Sequence, residues 1–121
     1  MPIESFSQYE ATVLQHASYP PGLYYPALKL SGEVGEFNEY VGKKMRANTE
    51  EINYGRHRHI NDLMTEDDKK HLLLELGDVM WYVAALAKEL GSDLTTVVNM
   101  NADKLAARAA SGTITSQNRK E

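Results

Sequence analysis

The sequence predicts an all-α fold, and three observations carry that prediction. Apolar residues recur at helical spacing through four stretches of the 121-residue chain. Helix start and stop signals bracket those stretches. Two of the stretches also carry the same device, a pair of carboxylates three residues apart: Glu33 and Glu36 in G-E-V-G-E, and Glu75 and Asp78 in E-L-G-D.

The first helix is expected over Ser7 to Ala17, with Ser7 and Glu10 as a capping box and Tyr9, Val13 and His16 at helical spacing. His16 reads as a partly exposed residue near the helix end, with a substrate contact as the alternative. Pro20, Pro21 and Gly22 then stop the helix and turn the chain. Tyr19, Tyr24 and Tyr25 crowd this loop, as packing residues or as a lid for a planar base. Pro26 fits the first turn of a second helix that runs to about Arg46. Lys29, Glu33, Glu36, Tyr40 and Lys43 fall along one side of it. Gly32, Gly35 and Gly42 each cost about 0.5–1 kcal/mol against alanine, which suggests close helix contact on the other side or simply a tolerated loss.

Residues 47–64 are the least regular part. They include the basic run Arg56-His57-Arg58-His59, which reads as a solvated connection, with a flap over an anionic substrate as the alternative. Thr65 with Asp68 marks the start of a third helix, and Glu66 and Asp67 suit its dipole. It is expected to end near Leu90, with Gly91 as the stop, and to bury Leu72, Leu76, Val79, Val83, Leu86 and Leu90. Tyr82 falls on the carboxylate side of this helix; Trp81 points elsewhere, as a candidate subunit contact. Ser92 or Asp93 caps a fourth helix from Leu94 to about Ala110, with Asn101, Lys104 and Arg108 along one face. One helical domain over residues 1–110 and a flexible tail over 111–121 are expected, because the chain turns Ser-, Thr- and Asn-rich at Ser111.

Composition narrows the function classes. Apolar residues make up 42% and charged residues 25%, as in a soluble globular domain. A net charge of −4 argues against nucleic acid or a membrane surface as partner. The absence of cysteine removes disulfides, thiolate metal sites and cysteine nucleophiles, and suits a reducing, cytoplasmic setting. No apolar run approaches the roughly 20 residues of a membrane span. No basic segment leads into an apolar core near Glu4, so no secretory signal is expected.

The chemistry lies in the acid pairs. At about 100° per residue, with Glu33 at zero, Phe37 falls near 40°, Leu30 near 60°, Val41 near 80° and Glu36 near −60°. With Glu75 at zero, Val79, Leu72, Val83 and Asp78 take the same four positions. Both pairs therefore border an apolar stripe. A single glutamate at such a margin is ordinarily solvated; two matching pairs outweigh that reading. If both stripes enter one core, four carboxylates converge at its edge and need protons or a cation. An oxygen-only donor set selects a hard ion, Mg²⁺ or Mn²⁺.

G-E-V-G-E, then E-L-G-D-V-M-W-Y, then N-x-x-K-L-x-x-R resembles the MazG-like branch of the all-α nucleoside triphosphate pyrophosphatases, over roughly Ala27 to Arg108. The resemblance implies a bundle of four to five helices built of helix hairpins and completed by oligomerisation, as a homodimer or homotetramer. It implies Mg²⁺-dependent hydrolysis of a nucleoside triphosphate to monophosphate and pyrophosphate. The family's metal ligands fall on Glu33, Glu36, Glu75 and Asp78, its base or sugar contact on Tyr82, and its phosphate contacts on Asn101 and Lys104. Lys104, with Arg108 or Lys29, would steady the phosphate charge, and Glu36 is a candidate general base. Many members carry a second glutamate where this chain has Gly32.

Three other readings compete. Di-iron oxidases need Glu-x-x-His on two helices, and here the partners at that spacing are Glu36 and Asp78. A non-catalytic metal-nucleotide-binding module for oligomerisation or sensing predicts binding without turnover. A purely structural bundle leaves the acids uncompensated.

Overall fold

The computed structural model describes residues 2–49 and 60–112. They form four α-helices: α1 (Phe6–His16), α2 (Tyr24–Ala47), α3 (Glu66–Glu89) and α4 (Leu94–Ser111). A short 3₁₀ turn, Ile60–Leu63, precedes α3. No strand occurs among the described residues. The all-α prediction holds. The basic run at 56–59 and residues 113–121 lie outside the described residues.

The helix ends follow local chemistry. Ser5, not Ser7, caps α1: its Oγ accepts the Gln8 N–H at 3.2 Å. Glu10, expected to complete a cap with Ser7, instead accepts the Leu94 N–H at 3.0 Å and ties α1 to the start of α4. Thr65 and Asp68 form the expected reciprocal box on α3, with Asp68 N–H to Thr65 Oγ1 at 3.1 Å and Thr65 N–H to Asp68 Oδ2 at 2.8 Å. Gly91, at φ 72°, ends α3. The Ser92 N–H reaches the Ala87 carbonyl at 2.8 Å and the Gly91 N–H reaches that of Lys88 at 2.9 Å. This is the Schellman arrangement that satisfies orphan carbonyls. Asp93, one of the two candidates, caps α4 through the Thr96 N–H at 2.7 Å.

The main packing is α2 against α3. The two run antiparallel: the contacts Lys44–Asp68, Tyr40–His71 and Tyr19–Glu89 step down the chain on one side as they step up α3 on the other. α1 lies against α3 and α4, and the core sits at that junction. Val13, Ala84 and Leu94 are its buried centre, with Tyr9, Trp81 and Val83 packed on it.

That core is smaller than the sequence predicts. In α3 the buried residues are Ala84, Ala85 and Ala87. Of the expected stripe, Leu72, Val79, Val83 and Leu86 are half-buried, and Leu76 and Leu90 are exposed. The reason is geometric: α1 and α4 meet α3 near its C-terminal half, and Leu90 lies beyond the last helical turn as the cap. The α2 glycines do not mark a close approach either. A Cβ built on Gly32 or Gly35 meets no described atom within 4 Å, and one built on Gly42 meets the Arg46 side chain of its own helix at 3.2 Å. α4 is buried at Leu94, and every residue from 95 to 107 is exposed. Among the described residues, no helix is long and apolar enough to cross a membrane.

Candidate functional site

The antiparallel register sets the first acid pair beside the second. One carboxylate oxygen from each of Glu33, Glu36 and Glu75 lies within 4.8 Å of the others. Glu33 and Glu75 are half-buried and Glu36 is exposed. Asp78, also exposed, stands outside this triad, yet its charge is felt at both Glu33 and Glu75.

The electrostatics follow from that crowding. Loss of hydration pushes the Glu33 carboxyl above the usual range, and the charges of Glu36, Asp78 and Glu75 push it further. Glu75 is raised for the same first reason and then by Glu36, while His71 pulls the other way. The Oε2 atoms of Glu33 and Glu75 are buried and have no hydrogen-bond partner among the described residues. A buried carboxylate oxygen without a donor is costly. A divalent cation relieves that cost, and a donor set made only of carboxylates fits a hard ion. Glu33, Glu36 and Glu75 fit such an ion, with Asp78 at hand.

A cavity of about 480 Å³ opens beside the acids. Glu33 and Asp78 line it, together with Tyr19, Tyr25, Trp81, Tyr82 and His16. The rings support one another. Tyr19 stacks on Tyr25 with centroids 5.5 Å apart and planes 8° apart. Trp81 meets Tyr19 edge-on at 6.2 Å and Tyr82 edge-on at 4.9 Å. Such edge and stacked contacts are favourable for rings and leave faces for a planar ligand. Burial raises the Tyr82 phenol first, then the nearby Tyr25 and Glu33. Glu89 holds the loop that carries Tyr19: its Oε1 accepts the Gly22 N–H at 2.8 Å and its Oε2 accepts the Tyr19 hydroxyl at 3.3 Å.

The structure thus brings together Glu33, Glu36 and Glu75, with Asp78 and Tyr82 alongside. Lys29 is exposed on α2 and is not part of the cavity wall. Asn101 and Lys104 are exposed and Arg108 half-buried on α4, and none of the three lines the cavity. Trp81 differs from expectation: it faces the cavity with Tyr82 and does not point away. His16 also joins the wall. Two further residues escaped the sequence reading. Glu89 gave no local signal, because its partners lie about 70 residues away. His71 did give one, a histidine four residues before Glu75 on one helix face, and its Nε2 lies 3.4 Å from Glu75 Oε1.

Comparisons with known proteins bear on the family of this chain. The family model described as the MazG nucleotide pyrophosphohydrolase domain matches residues 26–112. The chain is also similar to the Gene 37 protein of Mycobacterium phage L5, at 38% identity over 93 residues, covering 77% of this chain and 71% of the phage protein. No solved structure matches significantly. The matched span runs from the first turn of α2 past the end of α4 and takes in all four carboxylates, so this chain belongs to the MazG nucleotide pyrophosphohydrolase family.

Proposed function

We propose that the protein is a Mg²⁺-dependent nucleoside triphosphate pyrophosphohydrolase, converting a (d)NTP and water to (d)NMP and pyrophosphate. The observation that carries this reading is the pair of buried, unpartnered oxygens on Glu33 and Glu75, inside a carboxylate triad that borders an aromatic cavity. Glu33, Glu36, Glu75 and Asp78 would hold the metal. When bound, Mg²⁺ neutralises phosphate charge and lowers the pKa of water; Mn²⁺ is a possible substitute.

The chain's own residues supply the rest. The Tyr19, Tyr25, Trp81 and Tyr82 rings seat the base or sugar and keep that end of the substrate dry. Glu36 is the most open of the triad and accepts a proton from the attacking water. Lys29, Asn101, Lys104 and Arg108 steady the phosphates. α4 stands largely clear of the single chain, and its Met100 and Leu105 are exposed beside Asn101 and Lys104. This supports a homodimer or homotetramer in which helices are shared and α4 serves a neighbouring copy. The net charge of −4 supports a reading without a nucleic-acid or membrane partner, and a cytoplasmic setting is proposed with it.

A panel of ribo- and deoxyribonucleoside triphosphates tests the reading, with products resolved by ion-exchange chromatography. Monophosphate and pyrophosphate in equal amounts, for at least one member of the panel, are the expected result. Saturable nucleotide binding with no product would overturn it in favour of the non-catalytic module.

A further inference from the structure

We propose that His71 is a positioning residue that holds the Glu75 carboxylate in the acid cluster, and that a polar column of Tyr40, Asp68 and Lys44 holds His71 in turn. The proposal rests on the metal site proposed above. Glu75 needs such support. Its Oε2 is buried with no partner, and Glu36 and Asp78 repel it. A glutamate side chain has three free torsions, and repulsion alone would swing it out to water.

His71 opposes that swing. It lies one turn before Glu75 on the same face of α3, with Nε2 3.4 Å from Oε1. Contact at one oxygen leaves the other for the site. Half-exposed contacts of this kind are weak when the partner is mobile, and His71 is not left loose. Its ring stacks on Tyr40 of α2, with centroids 4.2 Å apart and planes 18° apart. The Tyr40 hydroxyl donates to Asp68 Oδ1 at 2.7 Å. Asp68 Oδ2 accepts the Thr65 N–H at 2.8 Å and meets Lys44 Nζ at 2.7 Å. Each member is therefore fixed by the next, from the N-terminus of α3 to the acids. Asp68, His71, Glu75 and Asp78 follow at spacings of three, four and three, the repeat that keeps one seam facing a partner helix. The same seam that carries the acids carries their support. Groups that orient metal ligands from behind alter metal affinity by about 10–100-fold when removed.

The test is the Mn²⁺ dissociation constant of the nucleotide-free protein, measured by electron paramagnetic resonance, with melting temperature and kcat and KM alongside. His71→Ala is expected to weaken Mn²⁺ binding by about tenfold or more, with the metal-free melting temperature close to that of the parent. His71→Gln keeps an N–H donor and is expected to recover most of the affinity. Tyr40→Phe keeps the stack, loses the bond to Asp68, and should fall between. Unchanged Mn²⁺ affinity in His71→Ala would overturn the proposal while leaving the metal site standing. Equal losses in His71→Ala and His71→Gln, tracking a fall in melting temperature, would also overturn it. A folded parent that binds no Mn²⁺ would remove the metal site itself, and this proposal with it.

Discussion

Glu33 and Glu75 each keep one oxygen from water, and no described residue donates to it. At the residue scale that is a cost borne by the metal-free chain. Replacing either acid with its amide removes a charge from a crowded site. Glu33→Gln is therefore expected to raise the metal-free melting temperature by about 4 °C, the effect of roughly 1 kcal/mol in a domain of this size. Mg²⁺, which should raise the melting temperature of the parent, should no longer raise that of the variant. Differential scanning fluorimetry with and without Mg²⁺ reads both.

Asp68 has the opposite character. Lys44 first, then the Tyr40 hydroxyl and the Thr65 N–H, hold its carboxyl well below the usual aspartate range. A carboxyl depressed in the folded state binds fewer protons there than in the unfolded chain. Its contribution is present above the ordinary aspartate value of about 3.9 and fades as the pH falls toward the depressed folded value. Asp68→Asn should lower the urea midpoint at pH 7, and the gap to the parent should narrow as the pH is taken below about 4. A constant gap between pH 7 and pH 3 would mean that the cap, and not the charge, sets the effect.

At the element scale, what was legible in the sequence is what local periodicity encodes. Thr65 with Asp68, Gly91 after α3 and the two acid pairs all depend on residues within a turn or two of one another. The start of α1 was misplaced by two residues because Ser5 and Ser7 each have a polar residue three positions on, and Glu10 is recruited by the distant Leu94 N–H. The placing of Trp81 on the cavity wall has a related cause. A helical wheel locates the α2–α3 seam but not the loop before α2, which wraps back over α3. Glu89 fastens that loop through Gly22 and Tyr19. Glu89→Ala should free the tyrosine wall and raise KM for the nucleotide several-fold with little change in kcat, since Glu89 does not line the cavity. Steady-state kinetics decide it, and Glu89→Gln, which keeps the acceptor for Gly22, should lie near the parent.

At the scale of the whole molecule, the apolar pattern promised more core than one chain closes. Leu28 is 72% exposed, and Leu73 and Met100 are each 67% exposed. Helical periodicity says which residues share a face, not what covers the face, so Leu76 and Leu90 could not be separated from the truly buried alanines by spacing alone. The exposed length of α4 belongs to the same lesson: its stripe of Asn101, Lys104 and Arg108 was readable, and its distance from the cavity wall was not.

The metal site proposed on the two carboxylate pairs of the antiparallel helices α2 and α3 would serve pyrophosphate release. Pyrophosphate release from the best triphosphate substrate, by the parent and by Glu36→Gln, in Mg²⁺ and in EDTA, tests it most directly. Release by the parent in Mg²⁺, none in EDTA, and a loss of at least about 100-fold in Glu36→Gln are expected, the last being the low end of what general-base catalysis contributes. Equal release in EDTA, or full activity in Glu36→Gln, would contradict it.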